Sequence, residues 1–190
     1  MNTVIQDIIN NAIQTHQRLA LDPKVMEQIQ ALGTACTQAL QNNNKIILCG
    51  NGGSFADAQH IAAEFVGRFI KERPSLPSIA LGCNASSTSA IGNDYGFDQV
   101  FSRELSAIGS EGDVLIAITT SGNSQNVLAA IDIALQKNMP VFGLTGNNKG
   151  AITQKCPCIE VPSSDTPRIQ ECHILIGHIV CEMVDRVVCK

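Results

Sequence analysis

Apolar residues recur along this chain in two rhythms. Residues 3 to 20 and 23 to 42 place apolar positions three and four apart among polar ones, the period of an amphipathic helix, and Pro23 in "LDP" suits the first turn of the second segment. "KIILC" (45 to 49) is short and apolar throughout. Similar runs follow in "PSIAL" (77 to 81), "DVLIAI" (113 to 118), "PVFGL" (140 to 144) and "CIEVP" (158 to 162), with helical stretches between them. A short run without polar alternation suits a strand covered on both faces, and such strands separated by helices make a parallel sheet. A last helix is predicted from "DTPRIQE", where Asp165 or Thr166 can cap it and Pro167 fits its first turn, and its apolar spacing continues through Val188. The expected fold is α/β: a doubly wound, parallel five-stranded sheet over 43 to 190, preceded by an N-terminal helical arm over 1 to 42.

Composition adds limits to this picture. A chain of 190 residues with 44% hydrophobic content suits one domain spanning 1 to 190. The formal charge of −4, with Lys and Arg scattered, argues against nucleic-acid binding as the main activity. No apolar run approaches the roughly 20 residues of a membrane span. The first residues are polar and amphipathic without the apolar core of a signal peptide, so a cytoplasmic protein is expected. Of eight cysteines, the only close pair is Cys156-Pro-Cys158, and no CxxC motif occurs. All eight are expected to be reduced thiols with packing roles.

In a doubly wound sheet, ligands sit beyond the carboxyl ends of the strands near the point where strand order reverses. Two loops there echo each other: "GNGGS" (50 to 54) after the first strand and "TTSGNS" (119 to 124) after the third. Neither is a P-loop or a GxGxxG dinucleotide fingerprint. Small residues rich in hydroxyls and free N–H groups, each leading into a helix N-terminus, suit a phosphate monoester. Taken singly, Ser54 and Ser124 also read as plain helix caps and the glycines as turns. Two such loops on one sheet favour the phosphate. Downstream of the first loop, His60 and Glu64 stand four apart on one helix face, expected to project from its first and second turns toward the same pocket. His178, in the apolar "HILIGHIVC", and Gln170 read either as core residues or as site residues.

Taken together, "CGNGGSFADAQHIAAEFVGRF", "GNDYGF", "ITTSGNSQNVLAAI", "GLTG" and "DTPRIQECHILIGHIVCEMVD" resemble the sugar isomerase (SIS) domain, and within it the phosphoheptose isomerases, over nearly the whole chain. The resemblance implies a flavodoxin-like SIS fold and a homotetramer. It also implies conversion of sedoheptulose 7-phosphate to D-glycero-D-manno-heptose 7-phosphate through an enediol, the first step toward ADP-heptose for bacterial surface polysaccharide such as lipopolysaccharide. Ser54, Thr119, Thr120, Ser121 and Ser124 fall on the family's phosphate-binding positions; Asn51, Gly52, Gly53 and Asp94 fall on its other substrate contacts. The positions of His60, Glu64, Gln170 and His178 meet in the family's site, where Glu64 and Gln170 also face substrate and one zinc ion per subunit is expected. Glu64 and His178 are the expected acid–base pair.

Gln170 and His178 are eight residues apart, about 12 Å along a helix, so they must lean together or come from different subunits. A site at a subunit interface is therefore expected. Pro167 departs from the polar residue some relatives carry there; Asp165 and Arg168 are possible substitutes, although Arg168 also reads as a first-turn surface cation. Two alternatives share the motifs. One is a SIS-domain protein that binds a bacterial replication initiator, a class lacking the acid found here as Glu64; the other is an isomerase of a different sugar phosphate.

Overall fold

The computed structural model describes residues 2–148 and 150–188. Two helices open the chain, α1 (Asn2–Leu21) and α2 (Pro23–Gln41). Asp22 separates them: its carboxylate accepts the Lys24 and Val25 N–H groups, and Pro23 needs no donor at that position. Then come β1 (Ile46–Gly50), α3 (Gly53–Val66), β2 (Ser78–Ala80), α4 (Ala85–Tyr95), α5 (Val100–Ile108), β3 (Val114–Ile118), α6 (Gln125–Gln136), β4 (Val141–Gly146), β5 (Cys158–Val161) and α7 (Thr166–Val188). The five strands are all parallel in the order β2-β1-β3-β4-β5.

Every residue of β1 and β3 is buried, as continuous apolar runs require when helices cover both faces. Alternate side chains go to different layers. Ile46 and Leu48 pack with α2, α3 and α7. Ile47 and Cys49 pack with α5 and α6. The connection from β4 to β5 departs from the expected helical crossover: it holds only a 3-10 turn, Ala151–Gln154. Its Gly150 and Pro157 interrupt the segment before a helix can propagate.

Among the described cysteines all thiols are free, and Cys36, Cys49, Cys156, Cys158, Cys172 and Cys181 are buried. Burial pushes the Cys49 thiol up to about 12. Cys83 is exposed and has no packing role, contrary to the sequence expectation, because it lies in the polar turn after β2. Cys189 lies outside the described residues. Among the described residues no helix is long and apolar enough to cross a membrane.

Near the candidate site, α3 packs against α7. At Gly177, α7 meets α3 so tightly that an added Cβ would lie 2.5 Å from Ile61 Cγ1. The two helices can touch here because that side chain is absent.

Candidate active site

Residues Ile46–Gly50 of β1 pair in register with Val114–Ile118 of β3, so the loops that follow these strands emerge side by side. Because β2 and β3 lie on opposite sides of β1, this is the switch point of the sheet. A reciprocal pair of amides joins the loops: Asn51 Nδ2 donates to Asn126 Oδ1 and Asn126 Nδ2 donates to Asn51 Oδ1, both at 2.9 Å. Asn126 also accepts the Val127 N–H at 3.0 Å and is buried. The sequence pattern singles out Asn51 but not Asn126, which lies in the first turn of α6.

Helix capping does not occupy the serine hydroxyls of these loops. The residue that caps α3 is Gly52, with no side-chain bond, so Ser54, buried in the first turn, does no capping. Ser124 occupies the N-cap of α6, yet its hydroxyl makes no capping bond. Instead Ser124 Oγ lies 2.9 Å from Thr119 Oγ1, which lies 3.4 Å from Ser121 Oγ. Three hydroxyls thus form an arc at the start of α6, with Thr120 beside them on the same loop. Asn123 steadies the arc: its N–H reaches Ser121 Oγ at 3.2 Å, and its Oδ1 accepts the Ala151 N–H at 2.9 Å. Hydroxyls and helix N-termini released from capping can receive an anion.

Gln170 lies over this end of α3, since a Cβ added to Gly53 would overlap the Gln170 amide. Asp94 is exposed near the end of α4, accepting from Asn93 at 2.8 Å. Arg168 is no surface cation. It is buried at the start of α7, where it pairs with Glu171 Oε1 at 2.5 Å and donates to the Ile8 carbonyl of α1 at 3.3 Å.

A second group of side chains gathers further along α3. His60 Nε2 lies 3.0 Å from Glu64 Oε1, and ligand atoms of His60, Glu64 and His178 all fall within 4.8 Å of one another. The His178 ring meets the His60 ring edge-on, with centroids 5.1 Å apart, and is only partly buried, so it is no core histidine. Two imidazoles and a carboxylate converging this closely are donors of the type that hold a divalent metal ion. Asp57, one turn before His60, was not anticipated. Its Oδ2 is buried without a partner, and burial raises its carboxyl to about 6, against the opposing pull of His60.

His60 stands within the first two turns of α3, as expected, but Glu64 does not. With α3 starting at Gly53, His60 closes the second turn and Glu64 lies in the last. From Ser54 to Glu64 is ten residues, about 15 Å of helix rise. Within one chain the structure therefore joins His60, Glu64 and His178 in one group and Gln170 with the two loops in another.

The fold and these groups belong to a domain of the SIS class: residues 11–146 match the family model described as "SIS domain". The chain is 48% identical over 189 residues to the phosphoheptose isomerase of Aneurinibacillus thermoaerophilus, covering 99% of this chain and 96% of the relative. It is 58% identical over 151 residues to the phosphoheptose isomerase of a Nitratiruptor species, covering 79% and 81%. The solved phosphoheptose isomerase of Neisseria gonorrhoeae superposes with a TM-score of 0.91 at 40% identity, covering 98% of this chain and 99% of that one. The chain belongs to the phosphoheptose isomerase family of SIS-domain proteins.

Proposed function

We propose that this protein is a sugar-phosphate isomerase converting sedoheptulose 7-phosphate to D-glycero-D-manno-heptose 7-phosphate, the reaction that opens ADP-heptose synthesis for bacterial surface polysaccharide. The convergence of His60, Glu64 and His178 carries the reading, because a pure binding module has no use for an ionisable carboxylate set between two imidazoles. Ser54, Thr119, Thr120, Ser121 and Ser124 receive the phosphate. Asn51, Gly52, Gly53, Asp94 and Gln170 contact the rest of the sugar.

The ketose loses a proton from C1 and gains one at C2, while the oxygen-bound proton shifts from O1 to O2; the intermediate is the enediol. Glu64 and His178 are the acid–base pair for the carbon-bound proton, and His60 and Gln170 orient the sugar oxygens. The donor set fits one zinc ion per subunit, which His60, Glu64 and His178 would hold with Gln170 as the remaining ligand supplied at an interface, and Glu64 and His178 would then exchange the proton through the carboxylate oxygen and ring nitrogen that the ion leaves free. When bound, such an ion supplies Lewis-acid polarisation of the sugar carbonyl.

The distance along α3 favours a site shared between subunits. An extended seven-carbon phosphate ester reaches about 10 Å at ordinary bond lengths, short of the span from Ser54 to Glu64 in one chain. A homotetramer would bring the two groups together across its interfaces. The apolar stripe on α1, Val4, Ile5, Ile8, Ile9 and Ile13, is 47–58% exposed in the lone chain and is suited to burial in such an assembly. A cytoplasmic location suits a biosynthetic isomerase of this kind. Incubation of the purified protein with sedoheptulose 7-phosphate should yield the aldose phosphate; no aldose from this substrate, with turnover of another ketose phosphate, would reassign the sugar.

A further inference from the structure

The segment that follows α3 returns to it through Arg73, whose side chain is almost wholly buried. Its Nη2 donates to the Glu64 carbonyl at 2.8 Å, and its Nη1 donates to the carbonyls of Phe65 at 2.9 Å and Gly67 at 3.3 Å. One guanidinium thus satisfies carbonyls that the last turn of α3 leaves without helical donors. The Nε donates to Asp185 Oδ1 at 2.7 Å, and Asp185 Oδ2 accepts the N–H groups of Ile70 at 3.0 Å and Lys71 at 3.2 Å. Asp185 stands two turns beyond His178 on α7. The pair therefore ties the end of the helix bearing Glu64, the helix bearing His178 and the backbone between 67 and 73 into one unit.

Phe69 stands inside that unit. Its ring stacks on His178 with centroids 5.4 Å apart and planes inclined by 30°, while His60 closes the other approach edge-on at 71°. Among the described residues, the rings packed against His178 are these two, and neither is a carboxylate or carbonyl that would fix a ring nitrogen by a hydrogen bond. Stacking has to do that work.

We infer that Phe69, anchored through Arg73 and Asp185, is a positioning residue that sets the His178 ring against His60 and Glu64. The inference rests on reading those three side chains as the working centre. Outer partners of a ligating or acid–base imidazole change metal affinity or activity by about 10- to 100-fold when removed. A loss confined to His178 geometry leaves the hydroxyl arc intact, whereas general loosening of the fold does not.

The test compares Phe69→Leu, Phe69→Tyr and Arg73→Lys with the wild-type protein by calorimetric Zn2+ titration of the metal-stripped oligomer, by kcat and KM, and by inhibition with inorganic phosphate. Phe69→Leu should weaken Zn2+ binding and lower kcat, each about 10-fold or more, with phosphate inhibition within twofold. Phe69→Tyr keeps the ring and should recover both. Arg73→Lys should follow the leucine variant; should it fail to fold, the two Phe69 variants decide. Wild-type Zn2+ affinity and kcat in Phe69→Leu would overturn the inference, as would a parallel loss of phosphate inhibition. The titration reads positioning without turnover, so full activity in Glu64→Gln would overturn the mechanism and leave the Phe69 result standing on its own.

Discussion

His173 shows what burial does to a single side chain that chemistry does not use. It is completely enclosed on α7, and neither ring nitrogen has a hydrogen-bond partner; the Thr145 carbonyl approaches without adequate geometry. Burial lowers its pKa to about 4. The folded protein therefore keeps the ring neutral while the unfolded chain takes a proton near 6.5, so the stability it contributes is full above 6.5 and is lost as pH falls toward 4. Asp57 acts in the other sense: raised to about 6, it contributes stability at low pH that is lost as pH rises through 6. A difference measurement removes the Asp57 share. Between pH 7 and 4.5, urea unfolding of His173→Leu should gain on the wild type by about 2 to 3 kcal/mol; parallel curves would show that the ring accepts its proton in the folded state. At the hydroxyl arc, Ser124→Ala removes one donor to the proposed phosphate and should weaken inorganic-phosphate inhibition by about 1.5 to 3 kcal/mol. Unchanged inhibition would move the anion elsewhere.

At the scale of elements, the decisive contact is α3 against α7. Gly177→Ala adds a methyl group into the space of Ile61, and although alanine favours the helix by about 1 kcal/mol, overpacking a fixed contact costs about 1 to 3 kcal/mol. The melting temperature should fall, and kcat with it, since the same shift carries His178 away from His60. A more stable, fully active variant would show that Ile61 yields freely. The strands and helices were legible because each is a local pattern: unbroken apolar runs in β1 and β3, the Asp22-Pro23 start of α2, Pro167 at the start of α7. The β4–β5 turn was not, since apolar content alone does not distinguish a short crossover from a helical one. Spacing correctly paired His60 with Glu64, but their turn on α3 depended on where the helix starts, and the Gly52 cap carries no side-chain signal. Arg73 and Asp185 lie 112 positions apart, and Asn51 and Asn126 lie 75 apart. No periodicity links such partners; only the sheet order brings them together.

The proposed function makes the whole molecule one subunit of a shared active site. Light scattering should give a tetramer of the 20.2 kDa chain, and a stable monomer would remove the shared site with it. Mixing offers a sharper check: Glu64→Gln and a Thr120→Ala/Ser124→Ala double variant, each inactive alone, should regain part of the activity when refolded together, because some interfaces then combine an intact phosphate arc with an intact Glu64. No recovery would place both groups of a site in one chain. The proposed mechanism centres catalysis on Glu64. Glu64→Gln keeps the size of the side chain and removes its ionisable proton. With folding and assembly verified by thermal melting and light scattering, kcat on sedoheptulose 7-phosphate should fall by about 10²- to 10⁴-fold, while calorimetric binding of the sugar phosphate to the same variant stays near the wild-type value. A Glu64→Gln protein that isomerises at the wild-type rate would contradict the account.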